Sequence, residues 1–199
     1  MKIKQLCKCA KDDENTLYLL DEYDEEGEIT RQYVNLSGRA MFPLDGMPRL
    51  NEETLLYVMD IPKEQHVAWS VVRGTINAEM KDMIADARAT DGEEKLGRVG
   101  IAMNGYELRI VVSEGGDRIS FVEGELLKVV SDYKGLDIWQ RYVGKHRVFV
   151  LMNGMKAVGC VTPTNAHWGQ DEALELCMAG RVGGRVYNDW EQMHEAERN

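Results

Sequence analysis

The sequence lacks the features that mark membrane and secreted proteins. No run of 18 apolar residues occurs in the 199-residue chain, so no transmembrane helix is expected. The first residues, MKIKQLCKCAK, hold no sustained apolar stretch, which argues against a secretory signal and favours a cytoplasmic protein. The cysteines are few and are then expected to be free thiols: Cys7, Cys9, Cys160 and Cys177.

Motifs that carry catalysis or hold cofactors are also missing. No G-x-S-x-G is present, and a single residue separates Cys7 from Cys9, where structural zinc sites use wider spacings. The glycine-rich GRVGGR at 180–185 is not followed by Lys-Ser/Thr, so a P-loop is not predicted. We therefore expect no cofactor, no metal and no catalytic residue. An enzyme of unrecognised type, with His or Cys side chains brought together by folding, stays an alternative.

What the chain does have is an uneven distribution of charge. The net charge is −10, and residues 12–28 hold nine of the 34 acidic residues and none of the 24 basic ones. An acidic segment repels a phosphate backbone and attracts basic surfaces. We take it as a candidate acidic docking site, with a solvated hairpin tip as the alternative. Its candidate residues are Asp21, Glu22, Asp24, Glu25, Glu26 and Glu28.

A basic cluster lies around a predicted hairpin tip, RYVGKHR at 141–147. Basic residues interleaved with an aromatic, here Tyr142, can hold a nucleic-acid backbone. An ordinary charged surface is the alternative. The candidate nucleic-acid contacts are Arg141, Lys145, His146 and Arg147, with Arg181 and Arg185 from the tail.

Residue periodicity predicts an α+β fold with an antiparallel sheet and short helices. Asn51 and Asn77 are expected to cap helices at 52–59 and 77–89. The tail predicts two further helices, at 169–179 and 186–197. The predicted strands are 16–21, 29–36, 39–42, 98–103, 106–113, 118–122, 136–143, 146–152 and 155–161.

The predicted elements divide the chain into three segments. An N-terminal α+β segment with the acidic hairpin covers 1–72, a second α+β segment covers 73–164, and a helical C-terminal extension covers 165–199. At this length, a single compact domain is the alternative. The order of a hairpin, a third strand and a short helix occurs twice, at 16–59 and at 98–131, as a weak architectural repeat.

The stretch DRISFVEGELLKVVSDYKGLDIWQRYVGKHRVFVLMNGMKAVGCVTPT at 117–164 runs from a strand through a short helix into three hairpin-linked strands. This arrangement resembles the second half of a domain of the DNA polymerase sliding clamps, and 77–116 resembles the first half. LCKCAK and PLDGMPRLNEETLL are similar to uncharacterised phage and prophage proteins of gut bacteria. These resemblances imply a clamp-like fold over about 77–164 and a phage-associated, non-enzymatic protein.

The charges of the helices depart from the clamp pattern. The predicted helix 77–89 carries Glu79, Asp82 and Asp86 against Lys81 and Arg88, whereas clamps face DNA with basic helices. We therefore expect a protein-binding module that acts on a replication, repair or host-defence protein. Direct nucleic-acid binding and homo-oligomerisation stay open as alternatives.

Overall fold

The computed structural model describes residues 1–86, 93–103, 106–113, 119–164 and 186–187. The described helices are α1 (Ile3–Lys11), α2 (Glu52–Val58), a 3-10 helix (Lys63–Ala68), α3 (Ala78–Met83) and α4 (Gly124–Lys128). The first strands are β1 (Thr16–Tyr23), β2 (Ile29–Leu36), β3 (Ala40–Pro43), β4 (Ser70–Thr75), β5 (Glu94–Met103) and β6 (Tyr106–Ser113). The rest are β7 (Ile119–Glu123), β8 (Leu136–Val143), β9 (His146–Asn153), β10 (Lys156–Val161) and β11 (Val186–Tyr187).

The predicted α+β class is confirmed, because the described strands form one large sheet with short helices packed on it. The strand order is β4-β1-β2-β3-β10-β9-β8-β5-β6-β7, and β11 pairs with β5. The neighbours pair antiparallel except β1 and β4, which run parallel. The parallel pair makes the sheet mixed and places β4 at one end of the strand order.

The antiparallel pairings fix which turns share an end of the sheet. Each neighbouring pair from β1 through β2, β3 and β10 to β9 is antiparallel, so β1 and β9 run in the same direction. The β1–β2 turn and the β9–β10 turn therefore lie at the same end of the sheet. The β8–β9 turn lies at the opposite end, because β8 runs antiparallel to β9. The acidic and basic hairpin tips of the sequence therefore occupy opposite ends of the sheet.

Helices cover both faces of the sheet, and strand side chains alternate between them. Leu17 and Leu19 of β1 join the larger core, which also contains buried residues of α1, α2 and α4. Tyr18 and Leu20 face a smaller core, where Ile84, just after α3, is buried. This period of two is what a sheet with two covered faces requires.

The helix caps predicted from the sequence are confirmed. The Asn51 side chain accepts a hydrogen bond from the Thr54 backbone N–H at 2.8 Å, and the Thr54 hydroxyl oxygen accepts one from the Asn51 backbone N–H, also at 2.8 Å. The Asn77 side chain accepts from the Met80 N–H, also at 2.8 Å. These bonds satisfy backbone donors that the first turn of a helix leaves free.

Several elements differ from their predicted bounds: β5 begins at Glu94 rather than at 98, and β1 continues to Tyr23 rather than ending at 21. Helix α3 ends at Met83 rather than continuing toward 89, and the Arg141 side chain binds the backbone carbonyls of Asp82 and Met83 in its last turn and of Ala85 just after it. Residues 63–72, whose sequence is compatible with either a helix or a strand, divide into the 3-10 helix and the first half of β4.

The order of three strands and a helix occurs twice, as β1-β2-β3-α2 and as β5-β6-β7-α4. The predicted boundary at 72/73 falls inside β4, and the sheet runs across it. Of the predicted C-terminal helices, only Val186 and Tyr187 are described, and they form a short strand rather than a helix start. The other residues of 165–199 lie outside the described ones. Among the described helices, none is long and apolar enough to cross a membrane.

Candidate protein-interaction site

The acidic segment of the sequence is divided in space by strand β1. Asp12 and Glu14 lie before β1, and Asp24 to Glu28 lie after it. Eight residues of strand separate the two groups by about 26 Å. The seven acidic residues that lie outside β1 therefore form two separate groups instead of one acidic surface.

Asp21 belongs to the interior and is not available to a partner in this structure. It is 1% exposed, and its carboxylate accepts hydrogen bonds from Gln32 Nε2 and Arg73 Nε, each at 2.7 Å. Gln32 also donates to the Leu50 carbonyl and accepts from the Leu50 N–H. Buried charge of this kind is tolerated because it is paired and hydrogen-bonded. Asp21 thus fixes the base of the hairpin to β4 and to the start of α2.

Glu22 is held by two partners on the other face of the sheet. Tyr33 Oη donates to it at 2.6 Å, and Lys81 Nζ lies 3.1 Å away. Burial favours a higher pKa for Glu22, but the bonds from Tyr33 and Lys81 outweigh burial and lower the pKa below its ordinary value. Burial, with the bond to Glu22, raises the pKa of Tyr33. The Glu22 side chain therefore connects the hairpin to α3.

The exposed end of the hairpin, which we call the acidic tip, consists of Asp24, Glu25, Glu26 and Glu28. One Asp24 oxygen accepts from the backbone N–H groups of Glu26 and Glu28, at 3.0 and 2.9 Å. Gly27 takes φ +83°, a conformation that glycine adopts readily. The turn is therefore ordered by its own carboxylate, while Glu25 and Glu26 make no ion pair within the described residues.

Two open clefts flank the hairpin and share Arg31. They measure about 180 and 360 Å³. Arg31 is bound by both oxygens of Asp45, at 2.7 and 2.6 Å, and this pairing raises its pKa. Lys156 lies 2.9 Å from the same carboxylate. The charges in both clefts are thus largely compensated, and Arg49 pairs with Glu28 at 3.3 Å. Glu25 and Glu26 are left as tip carboxylates without a cation among the described residues.

The hairpin β8–β9, which carries the basic cluster, is also divided into a buried part away from the turn and an exposed turn. Arg141 is 5% exposed. Its Nε donates to Glu93 at 2.7 Å, and its Nη1 donates to the carbonyls of Asp82, Met83 and Ala85. Arg141 therefore closes the C-terminal end of α3 and is not available to nucleic acid in this structure.

The remaining residues of this turn are more accessible. Lys145 and His146 are exposed, and Tyr142 is 52% exposed. Arg147 is half-buried, with its guanidinium 5.6 Å from the centre of the Phe149 ring. A carboxylate oxygen of Glu79 lies close to Gly144, so the turn also has an acidic neighbour. Arg181 and Arg185 lie outside the described residues.

Thiols and metal ligands supply no reactive centre in the described part of the chain. Burial raises the pKa of Cys9 to about 11 and that of Cys160 to about 12, so neither is a ready nucleophile at neutral pH. No group of three or more His, Cys, Asp or Glu side chains in the described ranges could hold a metal ion. Cys177 lies outside those ranges.

Sequence reasoning missed strand β4, whose outer side we call the β4 edge. It is last in the strand order, and within the described residues nothing pairs with its outer side. Its sequence, SVVRGT, has β-branched residues at 71, 72 and 75, which is a strand signal that short length obscures. Its parallel pairing with β1 places Thr75 beside Asp21, at the foot of the acidic hairpin.

No protein-family model, curated protein or solved structure matches this chain.

Proposed function

We propose that this protein is a non-enzymatic interaction module that binds a basic surface of a partner protein with its acidic tip. The observation that carries the proposal is a hairpin end with four exposed carboxyl groups in five residues, two of them unpaired among the described residues. The base of the hairpin is anchored by Asp21 and Glu22. A charged surface on a fixed base loses little conformational freedom when it binds.

The partner class follows from charge and from the family resemblances. Proteins that bind nucleic acid present basic patches, and an acidic surface is complementary to the same patches. The similarity to sliding clamps and to phage proteins supports a partner in DNA replication, repair or host defence. Such a partner would meet the acidic tip where it otherwise meets phosphate.

The test is a charge reversal with a matched control at the other end of β1. The variant E25K/E26K reverses two charges on the acidic tip, and D12K/E14K makes the same change in net charge about 26 Å away. The probe is a lysine-rich decapeptide, titrated by calorimetry at several salt concentrations. We expect E25K/E26K to weaken binding at least about tenfold, because opposite charges at the contact become like charges. Equal weakening by both variants, or no binding to the wild type, would refute the proposal.

A second candidate function, direct nucleic-acid binding, is favoured by Tyr142, Lys145 and His146 at the β8–β9 turn. An exposed aromatic between basic side chains can stack on a base while the cations contact phosphate. The buried Arg141 and the nearby Glu79 weaken this candidate. Fluorescence anisotropy with a single-stranded DNA oligonucleotide tests it. Salt-sensitive binding that is lost in K145E would favour it, and no binding at low salt would exclude it.

A further inference from the structure

We infer that the β4 edge is a strand-addition site that takes an extended, basic segment of the partner protein as an additional strand of the sheet. The inference rests on the proposed function and adds the mode of binding to it. Peptides bind in this way to open sheet edges, where backbone hydrogen bonds supply affinity and flanking side chains supply specificity.

The backbone of β4 provides alternating inward and outward hydrogen-bonding groups. The Ser70 N–H donates to the Asn15 carbonyl, and the Ile76 N–H donates to the Asp21 carbonyl, each at 3.0 Å. Since successive residues of a strand point their backbone groups to opposite sides, Val71, Arg73 and Thr75 direct theirs away from β1. These three residues offer a row of donors and acceptors that no described residue occupies.

The strand also lacks the usual protection of a sheet edge. Proteins block open edges with proline, lysine, bulges or covering segments. β4 has no proline or lysine, and its one charge, Arg73, is drawn onto the buried Asp21 carboxylate at 2.7 Å. Val72 is 44% exposed, and Val67, just before the strand, is 94% exposed. An added strand would therefore find backbone partners and apolar contacts together.

Charge determines which occupant fits. β1 continues past the end of β4, because Thr75 pairs with Asp21 while Glu22 and Tyr23 extend toward the acidic tip. A segment laid along β4 and continuing in the same direction extends toward the end of the sheet that carries Glu25 and Glu26. Lysine or arginine side chains at that end of the segment would be complementary to them. A second copy of this chain fits less well, because each copy carries a net charge of −10.

The probe is a decapeptide of alternating lysine and threonine, with two analogues N-methylated on one or the other alternate set of amides. The charge of the three peptides is the same, but each methylated set removes the donors from one side of the strand. We expect one of the two analogues to bind at least about tenfold more weakly than the parent peptide. Equal binding of all three peptides would overturn strand addition.

Hydrogen exchange of the protein amides supplies the site-resolved result. On addition of the parent peptide, the N–H groups of Val71, Arg73 and Thr75 should become protected, whereas those of Ser70, Val72 and Gly74 already face β1. The variant T75P removes one outward donor and should weaken binding of the parent peptide. Binding without new protection at 71, 73 and 75 would overturn the inference.

The same experiments separate failure of this inference from failure of the proposed function. If the acidic tip binds basic segments in another manner, E25K/E26K weakens all three peptides and T75P weakens none. If the proposed function fails, E25K/E26K has no effect on the parent peptide. Light scattering of the protein without peptide tests whether a second copy of the chain occupies the β4 edge. A dimer that is dissociated by T75P would show that it does, and this result would overturn the inference.

Discussion

The acidic hairpin β1–β2 and the basic hairpin β8–β9 have the same design with opposite charge. Each has one charged residue buried at its base, Asp21 in the first and Arg141 in the second, and each has exposed charges at its turn. Asp21 joins β1 to β4 and Gln32, and Arg141 joins β8 to the end of α3. In both hairpins, charged residues close to the turn are exposed to solvent, whereas the charged residue farther from the turn is buried and bonded to other elements.

Arg141→Ala should have the largest effect on stability. It removes the donor to three backbone carbonyls and leaves Glu93, itself mostly buried, without its cation. Breaking a buried pair in this way costs about 3–5 kcal/mol. Urea unfolding followed by circular dichroism measures it, with Lys145→Ala from the exposed turn as the control, expected within about 0.5 kcal/mol of wild type. Equal costs for the two variants would abolish the distinction between base and turn.

Asp21→Ala should be the next most severe change. Gln32 Nε2 loses one acceptor, and Arg73 loses its carboxylate, although Arg73 can regain water because its side chain is 36% exposed. We therefore expect a cost of about 2–3 kcal/mol, below that of Arg141→Ala. The control is Glu25→Ala, whose unfolding midpoint should match that of wild type. A loss in Glu25→Ala as large as that in Asp21→Ala would contradict the buried role.

The two turn glycines should respond alike, because the turns differ in charge but share a backbone requirement. Gly27 has φ +83° and Gly144 has φ +57°. Alanine at either position places a Cβ in the left-handed region, at a cost of about 1 kcal/mol. Thermal unfolding of G27A and G144A measures this cost. If either variant is as stable as wild type, its turn does not hold the conformation described.

Acid should weaken the acidic hairpin through Glu22. The folded-state pKa of Glu22 is lowered, so its contribution is present above its ordinary pKa of 4.5 and is lost as the pH falls through the folded value. As the pH falls from 5 through the folded-state pKa of Glu22, the free energy of unfolding should therefore decrease less in Glu22→Gln than in wild type. Tyr33→Phe removes one of the two bonds and should lie between them. Identical slopes in all three proteins would show that Glu22 is not held as described.

Much of the fold follows from local signals in the sequence. The two asparagine caps and the hairpin turns are encoded within a few residues, and strands β2, β6 and β8 have the predicted bounds. The end of α3 was not predictable in this way, because the side chain that binds its last carbonyls, Arg141, lies more than 50 residues further along the chain. Strand β4 was missed for a similar reason. Its partner β1 is distant in sequence, and parallel pairing leaves no turn signal.

The candidate site was only partly predictable. Charge density identified both hairpins, but composition carries no information on which charged residue faces inward. Asp21 and Glu25 have the same formal charge and lie four residues apart, yet one is bonded to Arg73 and the other is in solvent. The difference comes from Gln32 and Arg73, which the sheet brings to Asp21 from other strands. Only the assembled sheet distinguishes the two roles.

The junction between β3 and β10 has a consequence for synthesis. Met41 pairs with Cys160, and the Thr162 N–H donates to the Arg39 carbonyl at 2.8 Å, so residues about 120 positions apart meet at the middle of the sheet. Until the ribosome has released β10, β3 has no neighbour on that side. Pairing at such sequence separation slows folding, because a long loop must close before any contact compensates for it. A nascent chain that ends before residue 156 therefore lacks the strand that covers this side of β3 in the folded protein.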